Sequence, residues 1–154
     1  MTMAIEVGKP APEFELKDQH GRTVRLTDFR GKQPVALVFY PFAFSGLCTG
    51  ELCEIRDNLG VFSDGDVQVL AISCDPMHSL RAFAKAEGYE FPLLTDFWPH
   101  GAVAQAYGVF SGAGGRADRG TFLIDADGIV RWTVVNAPGE ARPLAAYREA
   151  IAAL

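Results

Sequence analysis

The spacing of hydrophobic positions changes several times along the chain, and each change marks an element. In "EFELKDQHGRTVRLTDF" apolar and polar residues alternate on both sides of Gln19-His20-Gly21, a period of two broken by a turn signal, which predicts a β-hairpin at a sheet edge. After Gly31-Lys32 the run "PVALVFYP" is almost continuously apolar. So short a run without alternation fits a central strand buried on both faces and ended by Pro41. Between Leu47 and Leu59, the residues Leu47, Leu52, Ile55 and Leu59 recur at near-helical spacing among charged neighbours, predicting a helix. "VQVLAISC" reads as a second buried strand, and "HSLRAFAKAEGY" as an amphipathic helix that stops near Gly88. "EFPLLTD" predicts a short strand, "HGAVAQAYG" a short helix, and "GTFLIDADGIVRWTVV" a hairpin turning at Asp125-Ala126-Asp127-Gly128. "ARPLAAYREAIAAL" closes the chain as a helix. Hairpin, strand, helix, strand, helix, then hairpin and helix predict an α/β chain, a mixed sheet with helices on its faces.

Composition narrows what such a chain does. Its 154 residues fit one domain, residues 1–154, large enough to bury a proper core without disulfide staples. A formal charge of −5 with no cluster of Lys and Arg argues against nucleic acid, whose phosphates need such a cluster. No apolar run reaches membrane-spanning length, and "MTMAIEVGKPAPEF" lacks the features of an export signal, so the expected location is the cytoplasm. Three cysteines, Cys48, Cys53 and Cys74, are an odd number that points to thiol chemistry or buried thiols rather than to structural bridges.

In an open α/β sheet, chemistry gathers where central strands end and helices begin. Cys48 lies at such a place, and Cys74 ends the next predicted strand. A cysteine in the first turn of a helix feels unpaired backbone N–H groups and the positive end of the helix dipole, which favour thiolate over thiol. Position alone fits a nucleophile and a small buried hydrophobe equally well.

The neighbours favour the nucleophile. Pro41, Ser45 and Cys48 form P-x-x-x-S-x-x-C, and with "GKPAPEF" near the start this resembles the peroxiredoxin family. "TDFWPHGAVAQAYGVF" and "DRGTFLIDADGIVRW" are similar to the alkyl hydroperoxide reductase E type in particular, so the resemblance runs along nearly the whole chain. It implies a thioredoxin-like fold in its peroxiredoxin variant and a thiol peroxidase needing no cofactor. The implied substrates are hydrogen peroxide, organic hydroperoxides and peroxynitrite. Cys48 would be the peroxidatic cysteine, Pro41 its shield from water, Ser45 the hydroxyl offered to the peroxide, and Arg119 the fourth element. Where the family usually has Thr, Ser45 keeps the hydroxyl and loses the β-branch that restricts its rotamer.

Each role has a physical reason. A thiolate attacking an O–O bond needs donors that hold the nucleophile and the first oxygen together while charge builds on the leaving oxygen. Arg119 is always charged and presents several N–H donors in a plane. Glu51, three residues after Cys48 and on the same helical face, is placed either to orient that arginine or simply to sit exposed near a helix start.

Oxidation would leave Cys48 as a sulfenic acid that must meet another thiol. The C-x-x-x-x-C spacing of Cys48 and Cys53 resembles the bacterioferritin-comigratory group of peroxiredoxins, in which the second cysteine resolves the first, whereas the E type works with one cysteine. In an ideal helix, residues five apart lie about 140° around the axis and roughly 8.7 Å apart, too far for a disulfide, so resolution by Cys53 requires unwinding. Alternatively Cys53 packs in the core and an outside reductant acts on Cys48: thioredoxin, a mycoredoxin or glutaredoxin-like protein, or a low-molecular-weight thiol such as mycothiol. Cys74 is assigned to packing, with a backup resolving role as the alternative.

His20, His78 and His100 are scattered and form no ligand spacing with the cysteines, so no metal is expected. Tyr40, Phe42, Phe44, Phe97 and Trp98 are expected at a pocket wall or at the interface of the homodimer that the family resemblance implies. A thiol–disulfide oxidoreductase fits less well, because C-x-x-C is absent. A redox sensor that relays oxidation to a partner protein stays open.

Overall fold

The computed structural model describes residues 5–136 and 143–154; of Leu47, Cys48, Thr49 and Asn136 it describes the backbone alone. The N-terminal hairpin is β1 (Glu15–Lys17) paired antiparallel with β2 (Thr23–Arg25). Its turn is closed by the Asp18 carboxylate, which accepts the N–H groups of His20 and Arg22 at 2.8 and 2.9 Å. A 3₁₀ turn over Leu26–Phe29 leads to β3 (Val35–Phe39), buried at every position as its unbroken apolar run requires. There follow α1 (Gly46–Asp57), the single turn α2 (Gly60–Ser63), β4 (Gln68–Ser73) and α3 (Met77–Glu87). Gly88 ends α3 with φ of 71°, a left-handed conformation that a side chain would strain. The rest is β5 (Leu93–Thr95), α4 (Ala102–Ala106), the small hairpin β6 (Phe110–Ser111) and β7 (Arg116–Ala117), then β8 (Arg119–Ile124), β9 (Val130–Asn136) and α5 (Leu144–Ala152).

Seven strands form one mixed sheet in the order β2-β1-β5-β4-β3-β8-β9. β3, β4 and β5 run parallel at its centre, and the outer pairings are antiparallel. Because side chains alternate across a strand, β3 feeds two cores. Ala36, Val38 and the following Tyr40 face α1, α2, α3 and α5 through Leu52, Ile55, Phe62, Phe83 and Tyr147. Val35, Leu37 and Phe39 face α4 and the N-terminal segment through Tyr107, Ala104 and Phe14.

This matches the architecture expected from the element order, with one difference and two additions: Leu26–Phe29, expected within the hairpin, form the 3₁₀ turn instead. The one-turn α2 and the two-residue strands β6 and β7 are too short to leave a periodic signal in the sequence. The closing helix begins at Leu144; the expected residues 141 and 142 lie outside the described ones.

Candidate active site

Parallel pairing of β3 with β4 and antiparallel pairing with β8 bring three chain segments to one edge. Phe39 stands opposite Ile72 on one side and Gly120 on the other, so the residues just beyond β3, those ending β4 and Arg119 opening β8 are neighbours. Pro41 is buried directly after Tyr40. Residues 42–45 then turn the chain into α1. Ser45 is the residue before the first helical position, and both its N–H (3.5 Å) and its hydroxyl (3.0 Å) donate to the carbonyl of Phe42. The backbone of Cys48 lies in the first turn of α1, where helix N–H groups and dipole favour an anion; its side chain is outside what is described.

Arg119 and Glu51 meet beside that turn. Arg119 Nε donates to Glu51 Oε1 at 2.7 Å, joining residues 68 apart in sequence. Arg119 lies on the same side of β8 as Thr121 and Leu123, the side covered by α1 and α5, where Thr121 and Tyr147 share a hydroxyl hydrogen bond of 2.9 Å. Both members of the ion pair are nearly inaccessible, 8% and 6% exposed. A guanidinium and a carboxylate buried together are tolerated because they are paired. The exposed placement left open for Glu51 is excluded.

The sulfur of Cys53 points away from this pair, into a cluster fastened to the end of α3. It lies 3.4 Å from Glu87 Oε2, to which the thiol donates, and 3.3 Å from the Tyr89 hydroxyl. Burial, and then the neighbouring Cys53, push the Tyr89 phenol up, so the hydroxyl keeps its proton. Arg56 donates to the Glu87 carbonyl and lies 6.0 Å from the centre of the Tyr89 ring. Cys53 is half-buried, whereas Cys74, directly after β4, is buried. Desolvation, aided by Asp96, pushes the Cys74 thiol up to about 12.

Of the aromatic residues expected at a wall or interface, Tyr40 instead belongs to the core, fully buried, because its position in the β3 alternation faces α1 and α3. Phe42, Phe44, Phe97 and Trp98 are exposed, Trp98 at 81%. A groove of about 650 Å³ lies elsewhere, between α2 and α5 near Asn58, Asp64 and Arg148. Among the described residues no group of three His, Cys, Asp or Glu side chains is placed to hold a metal ion, and no helix is long and apolar enough to cross a membrane.

Residues 7–133 match the model of the AhpC/TSA family. The chain belongs to that family. It is a peroxiredoxin, similar to alkyl hydroperoxide reductase E of Mycobacterium tuberculosis, with 48% identity over 150 residues that cover 97% of this chain and 98% of the relative. It is also similar to peroxiredoxin Bcp of Escherichia coli, 42% identical over 130 residues, 80% of this chain and 81% of the relative. Among solved structures, peroxidoxin BcpB from Mycobacterium tuberculosis superposes with a TM-score of 0.88 at 31% identity, covering 97% and 98% of the two chains. The sheet described above is thus the thioredoxin-like sheet of the peroxiredoxins, and the E-type and Bcp-type resemblances are both present in one chain. As a peroxiredoxin, it is a thiol peroxidase.

Two expectations follow from the geometry. Glu51→Ala leaves the buried Arg119 without this carboxylate and is expected to cost about 3–5 kcal/mol of stability by denaturant unfolding; a loss below about 1 kcal/mol would mean that the pair contributes little. Cys74, with a folded-state pKa near 12, resists alkylation. At pH 8 its labelling in the folded protein should be about a thousandfold slower than that of an ordinary thiol, and should rise with pH because only the thiolate reacts. Mass-spectrometric timing of iodoacetamide labelling measures this, and labelling at the rate of a free thiol would contradict it.

Proposed function

We propose that Cys48 is the peroxidatic nucleophile of this peroxiredoxin, and that Pro41, Ser45, Arg119 and Glu51 serve its reaction. The observation that carries this reading is the buried Arg119–Glu51 pair, which joins β8 to α1 within one helical turn of Cys48. In the reaction the Cys48 thiolate attacks one peroxide oxygen and the O–O bond breaks. The leaving alkoxide or hydroxide takes up a proton, and Cys48 becomes a sulfenic acid. Arg119, held in place by Glu51, faces the developing charge with its guanidinium. Pro41 keeps water from the sulfur. The Ser45 hydroxyl, donating to Phe42 in the resting turn, rotates to meet the peroxide. Hydrogen peroxide and organic hydroperoxides are the proposed substrates, the latter in keeping with the name of the reductase relative.

Cys53 then resolves Cys48. Its thiol attacks the sulfenic sulfur, the S–S bond forms, and the hydroxyl leaves with the thiol proton as water. Both residues belong to α1, so its first turns must open, a local transition that helix ends undergo at low cost. Thioredoxin or a mycoredoxin or glutaredoxin-like protein in the cytoplasm then reduces the disulfide, and the protein works as a homodimer. One observation favours a second reading: the Cys53 sulfur is already engaged by Glu87 and Tyr89, an arrangement suited to a packed residue, with an outside thiol reducing Cys48 directly.

Intact-mass analysis with thiol counting after one equivalent of hydrogen peroxide separates the readings. Resolution by Cys53 predicts loss of two hydrogens and two thiols in the wild type and in Cys74→Ser, with a trapped sulfenic acid in Cys53→Ser. A stable sulfenic acid in the wild type would select the outside thiol. No oxidation of Cys48 would refute its role as nucleophile.

A further inference from the structure

The turn that delivers Ser45 to α1 is strained. Its third residue, Phe44, has φ of 67°, in the left-handed region where turns of this kind place Gly or Asn. A bulky side chain persists there only when its surroundings hold it. The turn's own backbone closure is weak, since the Ser45 N–H reaches the Phe42 carbonyl at 3.5 Å; the better bond to that carbonyl, at 3.0 Å, comes from the Ser45 hydroxyl, which the reaction needs to release.

Two outside contacts supply the hold. The N–H of Ala43, in the middle of the turn, donates to Asp75 Oδ2 at 2.8 Å. The Phe44 ring lies 4.9 Å from the ring of Phe83 on α3. Asp75 is itself fixed from both neighbouring strands. The Ser73 hydroxyl at the end of β4 donates to the same Oδ2 at 2.7 Å, and the Thr95 hydroxyl at the end of β5 donates to the Asp75 carbonyl at 2.5 Å. The carboxylate therefore passes the position of two rigid strands to one backbone N–H of a turn that would otherwise relax.

We infer that Asp75 is a positioning residue for peroxide reduction, its carboxylate holding the Ala43 N–H so that the strained Phe44 turn sets Ser45 and the start of α1 in one arrangement. This rests on the roles proposed above for Cys48 and Ser45. Asp75 touches neither peroxide nor sulfur; it acts through the turn. Small misplacements of reacting groups cost rate steeply, so its loss is felt in the reaction more than in the fold.

The test is the second-order rate constant for hydrogen peroxide, by stopped-flow tryptophan fluorescence, in wild type, Asp75→Ala, Asp75→Asn and Ser73→Ala, each first checked for a cooperative melt. Asp75→Ala should react about ten- to a hundredfold more slowly. Asp75→Asn, whose amide oxygen can take the place of Oδ2 and still accept from both the Ala43 N–H and the Ser73 hydroxyl, should stay within about threefold of wild type. Ser73→Ala removes one tether and should fall between them; it serves in place of Asp75→Ala if that variant does not fold. A wild-type rate in folded Asp75→Ala, an Asn variant as slow as the Ala variant, or a wild-type rate in Ser73→Ala when it stands alone would overturn the inference. Cys48→Ser is the control for the underlying reading: if it still consumes peroxide, the assignment of Cys48 fails whatever the Asp75 variants do.

Discussion

Everything proposed for this molecule depends on keeping a positive charge at an apolar sheet edge. Arg119 opens a six-residue strand that is buried at every position, and its guanidinium has little access to water. Glu51 makes that tolerable by accepting its Nε–H at 2.7 Å. The pair also constrains geometry. It ties β8 to the second turn of α1, and β8 is in turn registered against β3, whose end carries Pro41 and the turn into α1. The charge and the turn are thus referred to the same central strands.

Ionisation of a thiol is only part of what such an edge offers. Lowering a thiol pKa from about 8.5 to about 6 raises the thiolate fraction at neutral pH about thirtyfold, while intrinsic nucleophilicity falls as the pKa falls. On the proposed mechanism the larger share of the acceleration comes from donors arranged for the charge that develops on the peroxide oxygens. Rigid placement then matters more than basicity. The strands give it: Arg119 through Glu51, and Ser45 through a turn gripped by Asp75 and Phe83.

How much of this was legible in the sequence depended on the range of the interaction. The apolar run 34–41, the hairpin at Asp125-Ala126-Asp127-Gly128 and the stop at Gly88 announce themselves within a few residues, because period and turn chemistry are local. The P-x-x-x-S-x-x-C segment was equally visible. The burial of Glu51 was not, since its partner arrives from 68 residues away across the sheet. Nor was the contact of Asp75 with Ala43, 32 residues apart; the only local sign was a carboxylate just past a buried strand, beside the more conspicuous Cys74. The strain at Phe44 was hidden because no glycine marks it. Tyr40, expected near the pocket, entered the core by the simple alternation of its strand.

The most direct measurement is the pH dependence of the rate constant of Cys48 with hydrogen peroxide in wild type and Arg119→Gln, carried well above the thiol pKa so that both proteins are fully thiolate. If arranged donors dominate, the variant stays slower by about a hundredfold or more at the highest pH. Recovery of the wild-type rate once the thiol is ionised would show that the arginine serves ionisation alone, and would contradict this account of the site.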